Sequence, residues 1–174
     1  NITDGRPYLL YVGWREWYKN FPRFLKAVAQ SERLIKDFNI VAFGGGPFTD
    51  KEIKLMSDLG FSENQIEHVG GSDEILASYY TQAAALVNPS LYEGFGYPPL
   101  EAMSYNCPVI SSNTSSMPEV IGNAGEYFDP KDPESIKVAI ENVVFSERYA
   151  EDLKNKGLQR IKNFSWRKCA NETL

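Results

Sequence analysis

The stretch AALVNPSLYEGFGYPPLE, residues 84–101, contains one complete strand–loop–helix unit and decides the fold class. A short, mainly apolar run predicts a buried β-strand over residues 84–88. Pro98 stands where the first turn of a helix begins, a position that proline favours. The loop between strand and helix carries Glu93 and two glycines, and Glu101 lies about one turn into the helix.

The same unit recurs along the whole chain. Short apolar runs alternate strictly with longer helical patterns, which predicts parallel strands joined by crossover helices on both faces of a sheet. We therefore predict an α/β fold, a Rossmann-like three-layer α/β/α domain with a parallel sheet of about six strands. The predicted strands cover residues 8–12, 39–43, 66–69, 84–88, 109–111 and 127–128. Between and after them the predicted helices cover residues 21–31, 49–60, 73–81, 118–121, 133–145 and 148–163, besides the helix at Pro98.

Three boundaries of this pattern rest on particular residues. Thr49 and Glu52 have the spacing of a capping box, and Asp73 is predicted to cap the helix that follows it. The polar residues 1–5 resemble a linker, so we expect an excised domain. Ser165 would cap one more helix, which is truncated at Leu174.

Composition excludes several classes of protein. A chain of 174 residues is long enough for one domain with a hydrophobic core. The net charge of −5 argues against a general nucleic-acid binder, because such proteins carry a basic footprint. Cys107 and Cys169 lack metal-ligand spacing, so we interpret both as thiols in a reducing, cytoplasmic setting. No apolar run approaches the ~18 residues of a membrane span, and we expect no signal peptide.

The loops that follow the strands hold most of the unusual side chains. In parallel sheets, ligands bind outside the carboxyl ends of the strands, where these loops meet. Arg15 and Lys19 both lie in the first such loop. Fixed cations there would stabilise a departing anion more strongly in the transition state than in the ground state. The alternative is two ordinary surface cations, one of them paired with Glu16.

The loop after the fourth strand has the chemistry of a nucleotide site. Gly94 and Gly96 let backbone N–H groups approach a ligand closely, and the following helix N-terminus suits a phosphate. Glu101 can accept two hydrogen bonds from a vicinal diol such as a ribose. The alternative is that Glu93 is a solvated loop acid and Glu101 an acid that complements the helix dipole.

Residues 93–101 closely resemble the E-x7-E signature of the family 4 glycosyltransferases, which have two facing Rossmann domains, the GT-B fold. Further matching pieces follow in order over nearly the whole chain; they lie at residues 10–13, 19–20, 43–47, 69–70, 108–111, 118–125, 128–130 and 164–166. The resemblance implies that residues 1–174 form the C-terminal, nucleotide-sugar-binding half of such an enzyme. The N-terminal, acceptor-binding domain is then absent.

The resemblance also implies roles for individual residues. Glu101 would hold the ribose hydroxyls, and Glu93 would lie beside the donor sugar and phosphate. The backbone amides of Gly94, Phe95 and Gly96 would face the sugar and the diphosphate. Arg15 and Lys19 would neutralise the diphosphate and thereby assist its departure.

Two further features have two interpretations each. Gly45 lies in the triglycine loop Gly44-Gly45-Gly46-Pro47, which lacks a dinucleotide fingerprint and a Walker lysine. This loop either edges the donor pocket, as in the family, or forms a simple tight turn. His68, the only histidine, precedes Gly70 at a strand end. The two residues either line the base pocket, as the family places it, or belong to an ordinary strand and its loop.

The function implied is retaining transfer of a hexosyl group from a UDP-, GDP- or ADP-sugar to a glycan or other hydroxyl acceptor, within cytoplasmic assembly of a cell-surface polysaccharide. No Asp-x-Asp motif occurs, so neither a metal nor another cofactor is expected. The acceptor, and any peripheral membrane association, would depend on the missing domain. Two alternatives stay open: a related GT-B synthase of the starch-synthase or sucrose type, and a non-catalytic nucleotide-sugar-binding module.

Overall fold

The computed structural model describes residues 5–15 and 17–164, so Glu16, Cys169 and the helix predicted to follow Ser165 lie outside the described residues. Six strands form one parallel sheet with the order β3-β2-β1-β4-β5-β6. All six lie where the apolar runs predicted them, and the α/β, Rossmann-like fold is confirmed. The strands are β1 Tyr8–Val12, β2 Asn39–Phe43, β3 Ile66–Val69, β4 Ala85–Asn88, β5 Val109–Ser112 and β6 Gly125–Phe128.

Helices cover both faces of this sheet. They are α1 Phe21–Ala29, α2 Glu32–Asp37, α3 Asp50–Asp58, α4 Asp73–Gln82, α5 Tyr97–Ser104, α6 Met117–Ile121, α7 Pro133–Val144 and α8 Glu147–Arg160. Short 3₁₀ turns cover Trp17–Lys19 and Ile161–Asn163. No helix in the described part of the chain is both long and apolar enough to cross a membrane.

Alternating side chains of the strands build two hydrophobic cores. Leu9 and Tyr11 of β1 pack with residues of α1, α2 and α7 on one face. Tyr8 and Leu10 of the same strand pack with residues of α4, α5 and α6 on the other. All four side chains are buried, because successive residues of a strand point to opposite faces. Burial of each large apolar side chain contributes roughly 1.5–3 kcal/mol, so the sheet is stabilised from both sides.

Some predicted helix boundaries are corrected by the structure. The first helix ends at Ala29, not at residue 31, because the Ser31 hydroxyl accepts a hydrogen bond from the Leu34 N–H at 3.1 Å and begins a separate helix, α2. Ser72, not Asp73, occupies the N-cap position of α4. The capping box of Thr49 and Glu52 is confirmed.

The strand order places the loops that matter side by side. From β1 the chain moves outward to β2 and β3, and it then returns to the other side of β1 to form β4. The order therefore reverses between β1 and β4, and open α/β sheets bind ligands in the crevice outside such a reversal. A hydrogen bond of 2.7 Å from the Leu91 N–H to the Tyr18 carbonyl oxygen ties the two loops together at this crevice.

Candidate functional site

An ion pair lies at the crevice between the β1 and β4 loops. Lys19 Nζ donates to Glu93 Oε1 at 2.7 Å, and the side chains are only 16% and 11% exposed. The Ser90 hydroxyl donates to the same oxygen at 2.6 Å. Within residues 5–15 and 17–164, the second oxygen, Oε2, has no hydrogen-bond partner. The structure thus brings together two predicted site residues that are 74 positions apart in the chain.

The backbone of Glu93 is fixed by two serines from the loop after β5. The Glu93 N–H donates to Ser115 Oγ at 3.0 Å, and the hydroxyls of Ser115 and Ser116 donate to its carbonyl oxygen at 2.8 and 3.0 Å. Ser115 adopts φ 57°, a left-handed conformation that is costly for a residue with a Cβ. The sequence reasoning missed this support, although the loop is serine-rich and follows a strand.

Asn20 joins three loops of the same edge. It is 4% exposed and has φ 61°, a left-handed conformation that asparagine tolerates better than most residues. Its amide donates to the carbonyl oxygens of Pro89 at 2.8 Å and Pro130 at 2.7 Å. Its side-chain oxygen accepts a bond from Arg23 at 2.8 Å. This residue, which the sequence marked only as part of the matching piece at residues 19–20 and without a role, fixes the backbone next to Lys19.

Arg15 does not join Lys19 and Glu93. Its side chain is 4% exposed, and its Nε donates to Glu52 Oε1 at 2.7 Å. Its terminal nitrogens donate to the carbonyl oxygens of Gly44 and Gly46 at 2.9 and 2.8 Å. The cationic pair predicted from the first loop is therefore not assembled in this structure, and a diphosphate contact by Arg15 stays a prediction.

The partner of Arg15 is itself held as a carboxylate. Burial acts to raise the pKa of Glu52, but the hydrogen bonds from Arg15 and from Thr49 outweigh it and bring that pKa below its ordinary value. The negative charge of Glu52 therefore persists at neutral pH and neutralises the guanidinium.

The glycine loop before α5 is open to solvent on one side and packed on the other. A Cβ at Gly94 would meet nothing within 4 Å, whereas one at Gly96, with φ 93°, would collide with Met117. Phe95 is 41% exposed, with its ring 5.0 Å from that of Tyr97. Gly94 and Phe95 are exposed, whereas Gly96 is buried, so only the first part of the loop faces solvent.

The N-terminus of α5 offers fewer N–H donors than its position suggests. Pro98 and Pro99 occupy the second and third positions of the helix, and neither has an N–H group. Any phosphate at this end would depend mainly on the N–H groups of the loop and of Tyr97.

Glu101 is held by a buried tyrosine. The Tyr80 hydroxyl donates to Glu101 Oε2 at 2.9 Å, and Tyr80 is 1% exposed. Burial, and then the nearby Glu101 charge, raise the pKa of Tyr80 far above its ordinary value, so this hydroxyl remains a donor. Oε1 of Glu101 has no hydrogen-bond partner among the described residues. One oxygen is thus anchored while the other is free for a ligand.

His68 and Gly70 lie at the end of β3. His68 pairs in register with Ala42, and its ring is 6.0 Å from that of Phe48. Its Nε2 atom is buried and has no hydrogen-bond partner within the described residues. Gly70 is exposed, with nothing within 4 Å of an added Cβ. Neither residue contacts the ion pair at the crevice, and their predicted place at the base stays a prediction.

No group of three or more His, Cys, Asp or Glu residues in the described segments could hold a metal ion. What the geometry does supply is one partly buried cation beside a carboxylate, a second carboxylate with one oxygen that lacks a partner among the described residues, and an exposed loop segment at Gly94 and Phe95.

The chain is similar to known proteins over most of its length. The sequence model of the family described as glycosyl transferases group 1 matches residues 1–160. O-antigen chain mannosyltransferase B of Escherichia coli is 35% identical over 170 residues, which are 96% of this chain and 44% of that protein. MMP alpha-(1->4)-mannosyltransferase of Mycolicibacterium hassiacum is 34% identical over 125 residues, which are 70% of this chain and 30% of that protein.

Among solved structures, sucrose-phosphate synthase from Thermosynechococcus elongatus matches with a TM-score of 0.82 and 26% identity, over 97% of this chain and 44% of that one. The chain therefore spans less than half the length of these three proteins.

Proposed function

The chain belongs to the group 1 glycosyl transferases, and from this premise we propose that it binds a nucleoside-diphosphate sugar and supports transfer of the hexosyl group to a hydroxyl acceptor. The observation that carries the proposal is the Lys19–Glu93 pair at the reversal of strand order. A phosphorylated ligand in this crevice meets a cation that the protein has already placed and partly shielded from water.

Lys19 would bind the diphosphate without leaving Glu93. An ammonium has three N–H donors, and Glu93 occupies one of them. As the bond from the sugar to the phosphate breaks, negative charge accumulates on the departing nucleoside diphosphate. The Lys19 charge then interacts more strongly with the transition state than with the bound donor, which is the condition for catalysis.

Glu101 would bind the ribose through its free oxygen. Because Tyr80 anchors Oε2, the carboxylate presents Oε1 in one orientation, and no ordering of this side chain is needed on binding. Glu93, with Oε1 held by Lys19 and Ser90, presents Oε2 beside the phosphate to a hydroxyl of the donor sugar. The amides of Gly94, Phe95 and Gly96 would bind the sugar and phosphate oxygens.

Transfer would proceed with retention at the anomeric carbon. The carbon–oxygen bond to the phosphate breaks, and its electron pair leaves with the nucleoside diphosphate. The acceptor oxygen forms its bond to the same face of the anomeric carbon, and its proton moves to the departing phosphate oxygen. In this scheme the protein supplies charge and position, and no covalent intermediate forms on Glu93.

The activities named for the relatives indicate which donor to test first. Mannosyl is the group transferred by two of the proteins compared above, so GDP-mannose is the first donor to test. The O-antigen enzyme supports a role in assembly of a cell-surface polysaccharide. We propose that this role is cytoplasmic and that a second domain would hold the acceptor. The similarity to sucrose-phosphate synthase supports a second candidate, a synthase-type transferase, which the donor screen separates by its preferred sugar and base.

Calorimetric titration of the chain with GDP-mannose, UDP-glucose and ADP-glucose tests donor binding. We expect saturable binding of one donor, weakened in Lys19→Met and unchanged in the exposed control Lys54→Met. Lys54 forms the same kind of ion pair at 2.7 Å but is 74% exposed on α3. If no donor binds, or if both lysine variants behave alike, the proposed site is wrong.

Two further measurements test whether this chain transfers sugar alone and whether donor binding needs a metal ion. The chain alone should release no nucleoside diphosphate from donor plus acceptor, because we propose that the acceptor side of the cleft belongs to a second domain. Donor binding should survive EDTA, because Lys19 and the loop amides meet the diphosphate charge without Mg²⁺. Turnover equal to that of a full-length relative, or loss of binding on chelation, would contradict these expectations.

A further inference from the structure

The triglycine loop after β2 has an unusual backbone. Gly44, Gly45 and Gly46 all have positive φ, at 88°, 76° and 72°. Only glycine adopts a left-handed conformation at three consecutive positions without strain, because a Cβ is destabilising in that conformation. A Cβ at Gly45 would also lie 3.0 Å from an Arg15 nitrogen and 3.1 Å from the Gly13 carbonyl oxygen. The loop is therefore shaped around the arginine.

This backbone turns carbonyl oxygens, not N–H groups, towards Arg15. The guanidinium donates to the carbonyl oxygens of Gly44, Gly46 and Pro47 at 2.9, 2.8 and 3.0 Å. Together with the Glu52 bond, four of its five N–H groups have acceptors inside the protein. The Phe48 ring lies 4.7 Å from Cζ and covers one side of the group. An anion-binding loop would have the opposite polarity.

We propose that the triglycine loop is an arginine cradle, and that Arg15 is a positioning residue that fastens the β1 loop to the β2 loop. It is not a ligand of the diphosphate, and Lys19 alone supplies the cation from the first loop. Moving Arg15 to a phosphate would break an ion pair and three hydrogen bonds, and it would leave the Glu52 carboxylate without its cation. The inference rests on the proposed function where it concerns the donor.

The Lys19–Glu93 and Arg15–Glu52 ion pairs give opposite expectations for nucleotide affinity when the glutamate of each pair is neutralised. Glu93→Gln releases Lys19 from its counter-charge, so affinity for a nucleoside diphosphate should rise relative to the monophosphate. Glu52→Gln weakens the cradle instead. Affinity for the diphosphate and the monophosphate should then fall together, by about threefold to tenfold, as expected when a coupled contact away from the ligand is lost.

The experiment combines nucleotide titration with hydrogen exchange at the triglycine loop. In Glu52→Gln and Arg15→Met, exchange should accelerate at the Gly44 amide, which donates to the Val69 carbonyl oxygen at 2.8 Å. Thr49→Ala is the matched control, because it removes the capping box on α3 and leaves the Arg15–Glu52 bond in place. It should not accelerate exchange in the loop. The probes are GDP with GMP and UDP with UMP.

Each outcome decides the proposal. A rise in diphosphate affinity in Glu52→Gln would make Arg15 a phosphate ligand and overturn the inference. Faster exchange with unchanged affinities would reduce Arg15 to a purely structural role and also overturn it. If the wild-type chain binds no nucleotide, the proposed function fails, and the exchange rates still decide whether the cradle exists.

Discussion

Replacement of Lys19 by methionine should lower the stability of the protein, because it leaves the Glu93 carboxylate at the crevice without its cation. Methionine keeps most of the apolar stem of lysine and removes only the ammonium, which lies 2.7 Å from Glu93 Oε1. Removing one partner of a fully buried ion pair costs about 3–5 kcal/mol, because the other charge is left uncompensated. Here 11% of the Glu93 side chain is exposed and Ser90 keeps its bond, so we expect the free energy of unfolding to fall by about 2 kcal/mol.

The double variant supplies the internal control. In Lys19→Met with Glu93→Gln, the uncompensated carboxylate is gone, so about half of the lost free energy of unfolding should return. Lys54→Met sets the baseline, because its pair with Asp58 is 74% and 59% exposed and should contribute less than about 0.5 kcal/mol. Urea denaturation of the wild type and the variants measures these free energies directly.

The same variants separate the structural effect from binding. Lys19→Met should weaken the binding of a nucleoside diphosphate more than that of the monophosphate. Added salt should reduce this difference, because it screens the Lys19 charge in the wild type. The reasoning fails if Lys19→Met is no more destabilising than Lys54→Met. It also fails if the preference for the diphosphate is the same with and without Lys19.

Three further predictions concern neighbouring residues. Glu101→Gln should lower nucleotide affinity about tenfold, since charge-assisted hydrogen bonds contribute roughly 1.5–3 kcal/mol. A 2′,3′-dideoxy nucleotide should bind the wild type and the variant with equal affinity in calorimetric titration. If the loss from the variant and the loss from the dideoxy nucleotide simply add, Glu101 does not contact the ribose. Tyr80→Phe should reproduce part of that loss and should add little to Glu101→Gln in a double-mutant cycle, whereas additive losses would exclude positioning through Glu101. Gly96→Ala should lower the free energy of unfolding by about 1–3 kcal/mol through its left-handed φ and its collision with Met117, while Gly94→Ala should change it little. Equal denaturation midpoints for the two alanine variants would contradict the last prediction.

Much of the architecture followed from local sequence patterns. The four central strands are short runs rich in apolar residues because they are buried on both faces, and this pattern is visible without knowledge of their neighbours; the edge strands β3 and β6 are only partly buried. The capping box of Thr49 and Glu52 was predictable because it joins residues three positions apart. The short helix α2 was missed, since six residues give too little periodicity to separate it from α1.

The candidate site followed from the sequence only as a set of residues. Lys19, Glu93 and Glu101 were recognisable because they lie in or just beyond loops at the carboxyl ends of strands, where a parallel sheet gathers its ligands. Tyr80 was indistinguishable from an ordinary core aromatic, because its bond to Glu101 spans 21 positions and depends on how α4 packs beside α5.

The partners of these residues were decided by tertiary structure alone. β4 lies beside β1, so Lys19 contacts Glu93, which is 74 positions away in the chain. β2 lies on the other side of β1, and the segment after β2 places the Gly44–Pro47 carbonyl oxygens and Glu52 next to Arg15. Two cations four residues apart in one loop therefore have separate environments. The physical reason is that hydrogen bonds and ion pairs act over a few ångströms, and the strand order determines which distant loops come within that range.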